Sequence, residues 1–539
     1  MKTNFLYLML IVVFLTSASC NSSANEIKTI SPDVLKDKIA GGWAGKMIGV
    51  TYGAPTEFKA MGTTFEDSIK WKPSNIKESM WQDDIYVQLT FLMTMDKYGI
   101  DAPAKIFQEM FAKAGYQLWH ANMQARKNYY DSIFPPQSGN PKFSMHADDI
   151  DFQIESDYIG FMCPGMPQTA SKIANKIGHI MNYGDGVYGG IFVAALYSEA
   201  FFESDIEKVI EKALGSIPAK SDYAKIVNDV IELHKHNPDD WRGAWKELEN
   251  KWDETDICGA GSTFNIDAKL NGAYIVMGLL YGDGDPMKTM EITTRCGQDS
   301  DCNPSNAMAV LGVIKGFSGL PIDMQKEVKA AGDLLFVNTT YSFNTAVSST
   351  YKYALQMIEK NGGKNTDNKI TIKTQQTIVP RLEVSYPNLV YDKTVSIFEN
   401  DSWMFKGNWK VFEVQSWKDK QIMKEAMYAE NPGDELAINF VGTGISIEGK
   451  WCQDGGKADV YVDGILHRNI DTYYYFAKQE HTTSIWHVLN LKQGKHSVRL
   501  IVKGEKRPEA TNTRVYITKA IIYKTAKKKS DDYKFSFER

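Results

Sequence analysis

The chain lacks a long hydrophobic run beyond its N-terminus, has few cysteines and carries no excess of basic charge. Its one strongly apolar stretch, Phe5 to Leu15, is eleven residues long. A helix needs roughly 20 such residues to span a bilayer, and no later segment is apolar enough. Six cysteines in 539 residues, at positions 20, 163, 258, 296, 302 and 452, are too sparse for a disulfide scaffold, and sequence selects no pairing among them. A net charge of −5 leaves no basic field for phosphate backbones, which excludes nucleic acid as the expected partner. With 43% hydrophobic and 24% charged residues the chain is not a disordered one. A globular body remains, too long for one core, so at least two domains are expected.

The N-terminus reads as an export signal. Lys2 precedes the apolar run, and Thr16-Ser17-Ala18-Ser19-Cys20 follows it. A cysteine directly after small residues resembles the lipobox of bacterial lipoproteins, although Ser17 stands where leucine is usual. The expectation is a signal peptide over 1–20 with lipidation at Cys20, plain cleavage nearby being the alternative. Residues 21–30 would be a tether. That places the protein in the periplasm or at the cell surface, with the lipid as its only membrane contact.

From 31 to 360 the pattern is helical. Apolar and small residues recur at helical spacing through Ile39, Gly42, Trp43, Lys46 and Met47, and Gly41, Gly45 and Gly49 fall on one face, as close helix packing requires. Further helices are expected over 85–98, 103–114, 169–182, 188–202, 221–236, 241–252, 269–281, 287–296 and 305–317. Asn361-Gly362-Gly363 marks a linker, and 361–380 is expected to be linker and first strand. Period-two runs punctuated by Gly442, Gly444, Asp463-Gly464 and Gly494 then predict a β-sandwich over 381–525. The basic run near Lys528 reads as a solvated tail, 526–539. The fold class is multidomain, an all-α body followed by an all-β jelly-roll sandwich.

Two acidic clusters carry the chemistry. Asp83-Asp84 opens an apolar helix, and Asp299-Ser300-Asp301 precedes another. One carboxylate caps a helix adequately. Two adjacent ones repel each other unless exposure or a cation relieves them, and hard divalent cations prefer such oxygen donors. The segment 148–157 adds Asp151, Glu155 and Asp157, where Asp151 and Glu155 share a helical face. These three, with His179 and Asp185 further on, are candidates for gripping a sugar, against the plainer reading of an exposed acidic helix.

These residues carry a resemblance. Gly49-x-x-x-Gly53-Ala54-Pro55-Thr56-Glu57-Phe58, then Asp83-Asp84, then the stretch Cys296 to Gly316, resemble in order and spacing the ADP-ribosylglycohydrolase family across roughly 33–321. The resemblance implies an all-α body with a two-Mg²⁺ centre at a cleft mouth and hydrolysis of a glycosidic bond. It implies that Asp83, Asp84, Asp299 and Asp301 hold metal, that Asp83 or Asp84 orients water, and that Glu57 acts as mobile acid/base or gate. Three positions depart from the pattern: Gln82 for Thr or Ser, Cys302 for Thr, and Val50 for Asp. A thiol suits Mg²⁺ poorly, so one of the two metal positions is expected to be altered or empty.

The segment from Glu435 to Tyr523 resembles the galactose-binding-like jelly rolls attached to many exported carbohydrate enzymes. The residues that carry this are Gly442-x-Gly444-Ile445, Val460-Tyr461-Val462-Asp463-Gly464 and Leu491-x-x-Gly494-x-His496. Trp451, Tyr473-Tyr474-Tyr475 and Trp486 are candidates for a sugar platform, with a lid over the cleft as the alternative role. The functional expectation is a metal-dependent hydrolase of a glycosidic bond in an extracellular glycan or glycoside, with a carbohydrate substrate and one or two Mg²⁺ ions. The alternatives are an ADP-ribosyl-acceptor hydrolase and a non-catalytic glycan-binding protein on the same scaffold.

Overall fold

Four glycines, each one helical turn from the next, decide how the helical body assembles. The first helix, Pro32–Gly53, is capped by Ser31, whose hydroxyl accepts from the Val34 N–H at 3.2 Å. Gly41, Gly45, Gly49 and Gly53 line its contact with the helix Cys302–Lys315. A Cβ at these glycines would lie 2.1 Å from Gly312 O, 2.4 Å from Met308 O, 2.2 Å from Pro304 O and 1.8 Å from Ser300 O. The two backbones therefore touch along their whole contact, which no residue with a side chain permits.

The computed structural model describes residues 26–399, 401–416, 420–476 and 480–538. The expected signal peptide and Cys20 lie outside them. The helical body continues through Asp83–Tyr98, Ala104–Ala112, His120–Tyr130, Pro167–Gly178, Asp185–Ala200, Asp222–His236, Trp241–Trp252, Ala268–Gly282, Pro286–Arg295 and Phe343–Lys360. Asp185–Ala200 and Ala268–Gly282 are apolar on every side and buried on nearly every side, so they form its centre.

The expected tether and linker meet each other. Ile27–Ile30 pairs antiparallel with Lys369–Lys373, which also pairs with Lys364–Thr366. This small sheet lies apart from the sandwich, because Ile370 and Ile372 are buried against the last helix, Phe343–Lys360.

The second domain is a sandwich of two antiparallel sheets. One runs in the order Ile465–Asp471, Lys457–Val462, Gly494–Val502, Glu435–Gly442, Trp403–Lys406. The other runs His481–Val488, Gly444–Trp451, Val515–Thr525, Ile422–Ala429, Lys410–Gln415, with Leu389–Ser396 also on Val515–Thr525. Lys457–Val462 alternates buried and half-buried residues, as a strand with one wet face does. Gly444–Trp451 and His481–Val488 are buried on both faces. Their outer face lies against the helical body.

That seam is polar and aromatic. Tyr475 stacks on Tyr130 at 3.8 Å between centroids. Arg507 pairs with Asp131 and with Asp471. Arg468 donates to Lys142 O at 2.7 Å, and Tyr523 OH donates to Ile257 O at 3.1 Å. Trp451, Tyr473, Tyr474 and Trp486 are all buried, so the aromatic group expected as a sugar platform is core and seam instead. The C-terminal segment likewise departs from a solvated tail. Lys528 reaches Asp222, Tyr533 OH donates to Glu247, Phe537 stacks on His236 and Phe535 is buried.

Candidate acidic centre

The helix contact described above puts Gly53 against Ser300, and the loops on either side carry the chemistry. Thr56 Oγ1 and Ser300 Oγ lie 2.8 Å apart, and the Phe58 N–H donates to Gln298 O at 3.1 Å. Glu57 is thereby held beside Asp299 and Asp301, one carboxylate oxygen of each falling within 4.8 Å of the others. Asp301 caps its helix by accepting from the Cys302 N–H at 2.9 Å. On the opposite wall, Asp83 and Asp84 begin the helix Asp83–Tyr98, and Asp83 Oδ1 accepts from the Asp84 N–H at 3.2 Å. Asp84, Asp301 and Cys302 form a second group of potential ligands within 4.8 Å. Asp83 belongs to neither group. It stands half-buried beside Asp84, the more exposed of the two.

One residue overlooked in the sequence completes this wall. Lys46, fully buried in the first helix, lies 3.2 Å from Asp84 Oδ1 and 3.1 Å from Asp157 Oδ2, and donates to Ile154 O at 2.9 Å. Burial works against its charge, but Asp157 and Asp84 together outweigh it and hold the ammonium protonated. A lone lysine among small and apolar residues of a buried helix was the available signal.

The carboxyls are tuned against their own ionisation. Burial, then repulsion by Asp84, pushes Asp83 up to about 6. Burial, then Glu57 and Asp84, pushes Asp299 up to about 7, even though Asp301 donates to it. Burial and Asp299 drive Asp301 well above the carboxylate range. Glu57 is exposed at the rim yet crowded, and desolvation followed by Asp301, Asp83 and Asp84 pushes it up to about 9. Burial and the same aspartates keep the Cys302 thiol protonated, and its Sγ donates to Asp84 Oδ2 at 3.1 Å.

The other sequence candidates sit elsewhere. Asp151 accepts from the N–H groups of Asn122 at 2.9 Å and Ala121 at 3.2 Å, at the start of the helix His120–Tyr130. Glu155 accepts from Asn122 Nδ2 and keeps one buried oxygen unpartnered. Asp157 is consumed by Lys46, Tyr197, Gln88 and Asn306. All three are buried, so the segment is not an exposed acidic helix. His179 lies between Asn175 O and Glu383 Oε2, and Asp185 accepts from the Tyr223 N–H at 3.1 Å. Neither joins the acidic group.

Hard divalent cations fit this donor set. Asp299 Oδ1 is buried without a hydrogen-bond partner, and carboxyls clustered in this way resist ionising until a positive charge relieves them. The protonated thiol of Cys302 is a poor oxygen surrogate, and Lys46 already offsets part of the charge on Asp84. The geometry therefore suits one such ion, centred on Asp301, which both groups share, with Asp84 and Asp299 on its two sides and Glu57 at the rim, better than two.

A family model described as ADP-ribosylglycohydrolase matches residues 31–344. No curated protein matches the chain. Among solved structures, an "ADP-ribosylglycohydrolase-related protein complex" is similar at 14% identity and a TM-score of 0.42, covering 60% of this chain and 99% of that one. A family 35 carbohydrate binding module from Clostridium thermocellum is similar at 11% identity and a TM-score of 0.18, covering 24% of this chain and 98% of that one. The matched residues 31–344 contain both helices of the glycine contact, Glu57 and all four aspartates of the centre, and the chain belongs to the ADP-ribosylglycohydrolase family.

Proposed function

We propose that the protein is an exported, Mg²⁺-assisted hydrolase of a glycosidic bond in an extracellular glycan or glycoside. The observation that carries this reading is the meeting at Asp301 of two groups of donors, Glu57-Asp299-Asp301 and Asp84-Asp301-Cys302, with Asp299 Oδ1 buried and without a hydrogen-bond partner. A bound Mg²⁺ would supply positive charge to orient sugar hydroxyls and stabilise developing negative charge. Asp84, Asp299 and Asp301 would hold it. Glu57, protonated at neutral pH and open to solvent at the rim, is placed to donate a proton to the leaving oxygen. Asp83, half-buried beside Asp84 and nearer to solvent, is the carboxylate left to orient a water. Trp81, 69% exposed and two residues before Asp83, offers a flat apolar face to a sugar ring. Export and lipidation at Cys20 belong to the same proposal, as does the sandwich as a wall of the cleft.

The family's name favours a second reading, removal of ADP-ribose from an acceptor. A pyrophosphate calls for a free cation, and the lysine nearest the acidic centre is committed to Asp84 and Asp157. Assays with p-nitrophenyl furanosides and pyranosides and with ADP-ribosyl-arginine, each with Mg²⁺ or EDTA, separate the readings. EDTA-sensitive glycoside turnover, lost in Asp84→Asn and Asp301→Asn with the circular dichroism unchanged, is expected. Undiminished rates in both variants would sink the assignment of the centre. Inertness toward every substrate would leave only the glycan-binding role.

A further inference from the structure

A second group of donors lies where the two domains meet, and its chemistry differs from that of the acidic centre. Asp149 is fully buried, and its Oδ2 lies 2.7 Å from His146 Nδ1, 3.4 Å from Cys258 Sγ and 3.8 Å from His120 Nδ1. One ligand atom from each of the four falls within 4.8 Å of the others. We propose that His120, His146, Asp149 and Cys258 form a cation site of their own, which takes a zinc-class divalent ion.

The donor types make this assignment. Two imidazoles and a thiol are borderline-soft ligands, which bind zinc well and Mg²⁺ poorly, and a single carboxylate completes a common zinc set. Zinc bonds of about 2.0–2.3 Å place tetrahedral donors roughly 3.3–3.8 Å apart. The separations from Asp149 to Cys258 and to His120 already lie in that range, and the hydrogen bonds that Cys258 and His146 now make to Asp149 are ones that metal binding would replace. The thiol belongs to a free cysteine.

Two further observations point to a ligand. Asp149 Oδ1 is buried with no hydrogen-bond partner, a costly state for a carboxylate oxygen. Three of the four donors, His120, His146 and Cys258, also border a cavity of about 270 Å³ roofed by the sandwich residues Glu448, His481 and Thr483. His481 Nε2 is buried there, likewise without a partner. Thr483 Oγ1 lies 3.3 Å from His146 Nε2. That contact fixes the ring with its other nitrogen turned to Asp149, as outer partners of ligating histidines do. His120 is stacked on Phe264, 5.6 Å between centroids, and Phe264 meets Phe58, the residue after Glu57, at 5.2 Å. An aromatic partition thus separates the soft donors from the hard ones.

The test uses the whole chain, stripped with a chelator, dialysed, and loaded with Zn²⁺ or with Co²⁺ as a spectroscopic probe. One tightly held zinc per chain is expected by elemental analysis. The cobalt form should show a thiolate-to-metal charge-transfer band, because Cys258 would be a ligand. Cys258→Ser should remove that band, and His120→Ala with His146→Ala should weaken zinc binding by at least ~10-fold. Asp301→Asn, in the acidic centre, should leave both zinc content and band unchanged. No retained zinc in the unaltered chain would overturn the proposal, as would a cobalt spectrum without the thiolate band or loss of zinc in Asp301→Asn. The spectrum of the unaltered chain decides even if a variant fails to fold, and none of these readings depends on the substrate.

Discussion

Lys46 Nζ lies 3.2 Å from Asp84 Oδ1, and both side chains are sealed from water. The ion pair joins the first helix to the wall of the acidic centre that carries Asp84. Removing the ammonium would leave Asp84 and Asp157 buried without their counter-charge. Lys46→Met is expected to lose ~3–5 kcal/mol of stability, the usual cost of breaking a buried pair, measured by urea unfolding. Asp84→Asn leaves Lys46 paired with Asp157, so it should cost much less in the same measurement.

The contact between Gly53 and Ser300 sets where Glu57 stands relative to Asp299 and Asp301. Gly53→Ala would put a methyl 1.8 Å from Ser300 O, and the loops must part. Displacing catalytic groups by about 1 Å can cost ~100-fold in rate. That loss in kcat/KM is expected, with Gly99→Ala as a thermal-stability control, since Gly99 has open space around it but a positive φ.

Cation binding at the acidic centre should compete with protons. Among the carboxyls that would hold the ion, Asp299 is pushed up to about 7, burial being the first cause. A protonated carboxyl is a poor ligand, so Mg²⁺ affinity should rise as pH climbs through that value, and binding should release protons. Calorimetric titration at about pH 5.5 and about pH 8, in buffers of different ionisation enthalpy, checks both the affinity and the proton count.

The His179–Glu383 pair should stabilise the protein only on the acid side. Burial opposes the charge on His179, but hydrogen bonds to Glu383 and Asn175 O outweigh it and raise its pKa. A group raised on folding contributes fully below its unfolded value of about 6.5 and loses that contribution as pH rises through the folded value. Glu383→Gln should therefore lower the melting temperature at about pH 5.5 and have little effect at about pH 8.5.

The four aspartates of the acidic centre were legible in sequence because they come as two close pairs, Asp83-Asp84 and Asp299-x-Asp301, at helix starts. The glycine face was legible because its period is that of a helix. Lys46 escaped because its partners lie at Asp84 and Asp157, far along the chain. The helix His120–Tyr130 escaped for a different reason. Its Asn122, Gln124, Arg126, Lys127 and Asn128 are buried although polar, so it has no apolar stripe to read. The soft donors were invisible because they come from three separate segments that meet only in the fold. Strands such as Lys410–Gln415 keep half or more of their residues exposed, and their alternation is correspondingly faint. The aromatic residues of the sandwich misled because composition cannot say which face meets the other domain.

The small sheet that joins Ile27–Ile30 to Lys369–Lys373 has a consequence in time. Its first strand leaves the ribosome long before its partner exists. About 340 residues separate the two, and at roughly 5–20 residues per second that is ~20–70 s of synthesis. Throughout that interval the strand presents an unpaired edge, and the helical body is one clasp short of closed. The clasp can therefore close only after residues 31–363 have been made, so the sheet is among the last parts of the helical body to form.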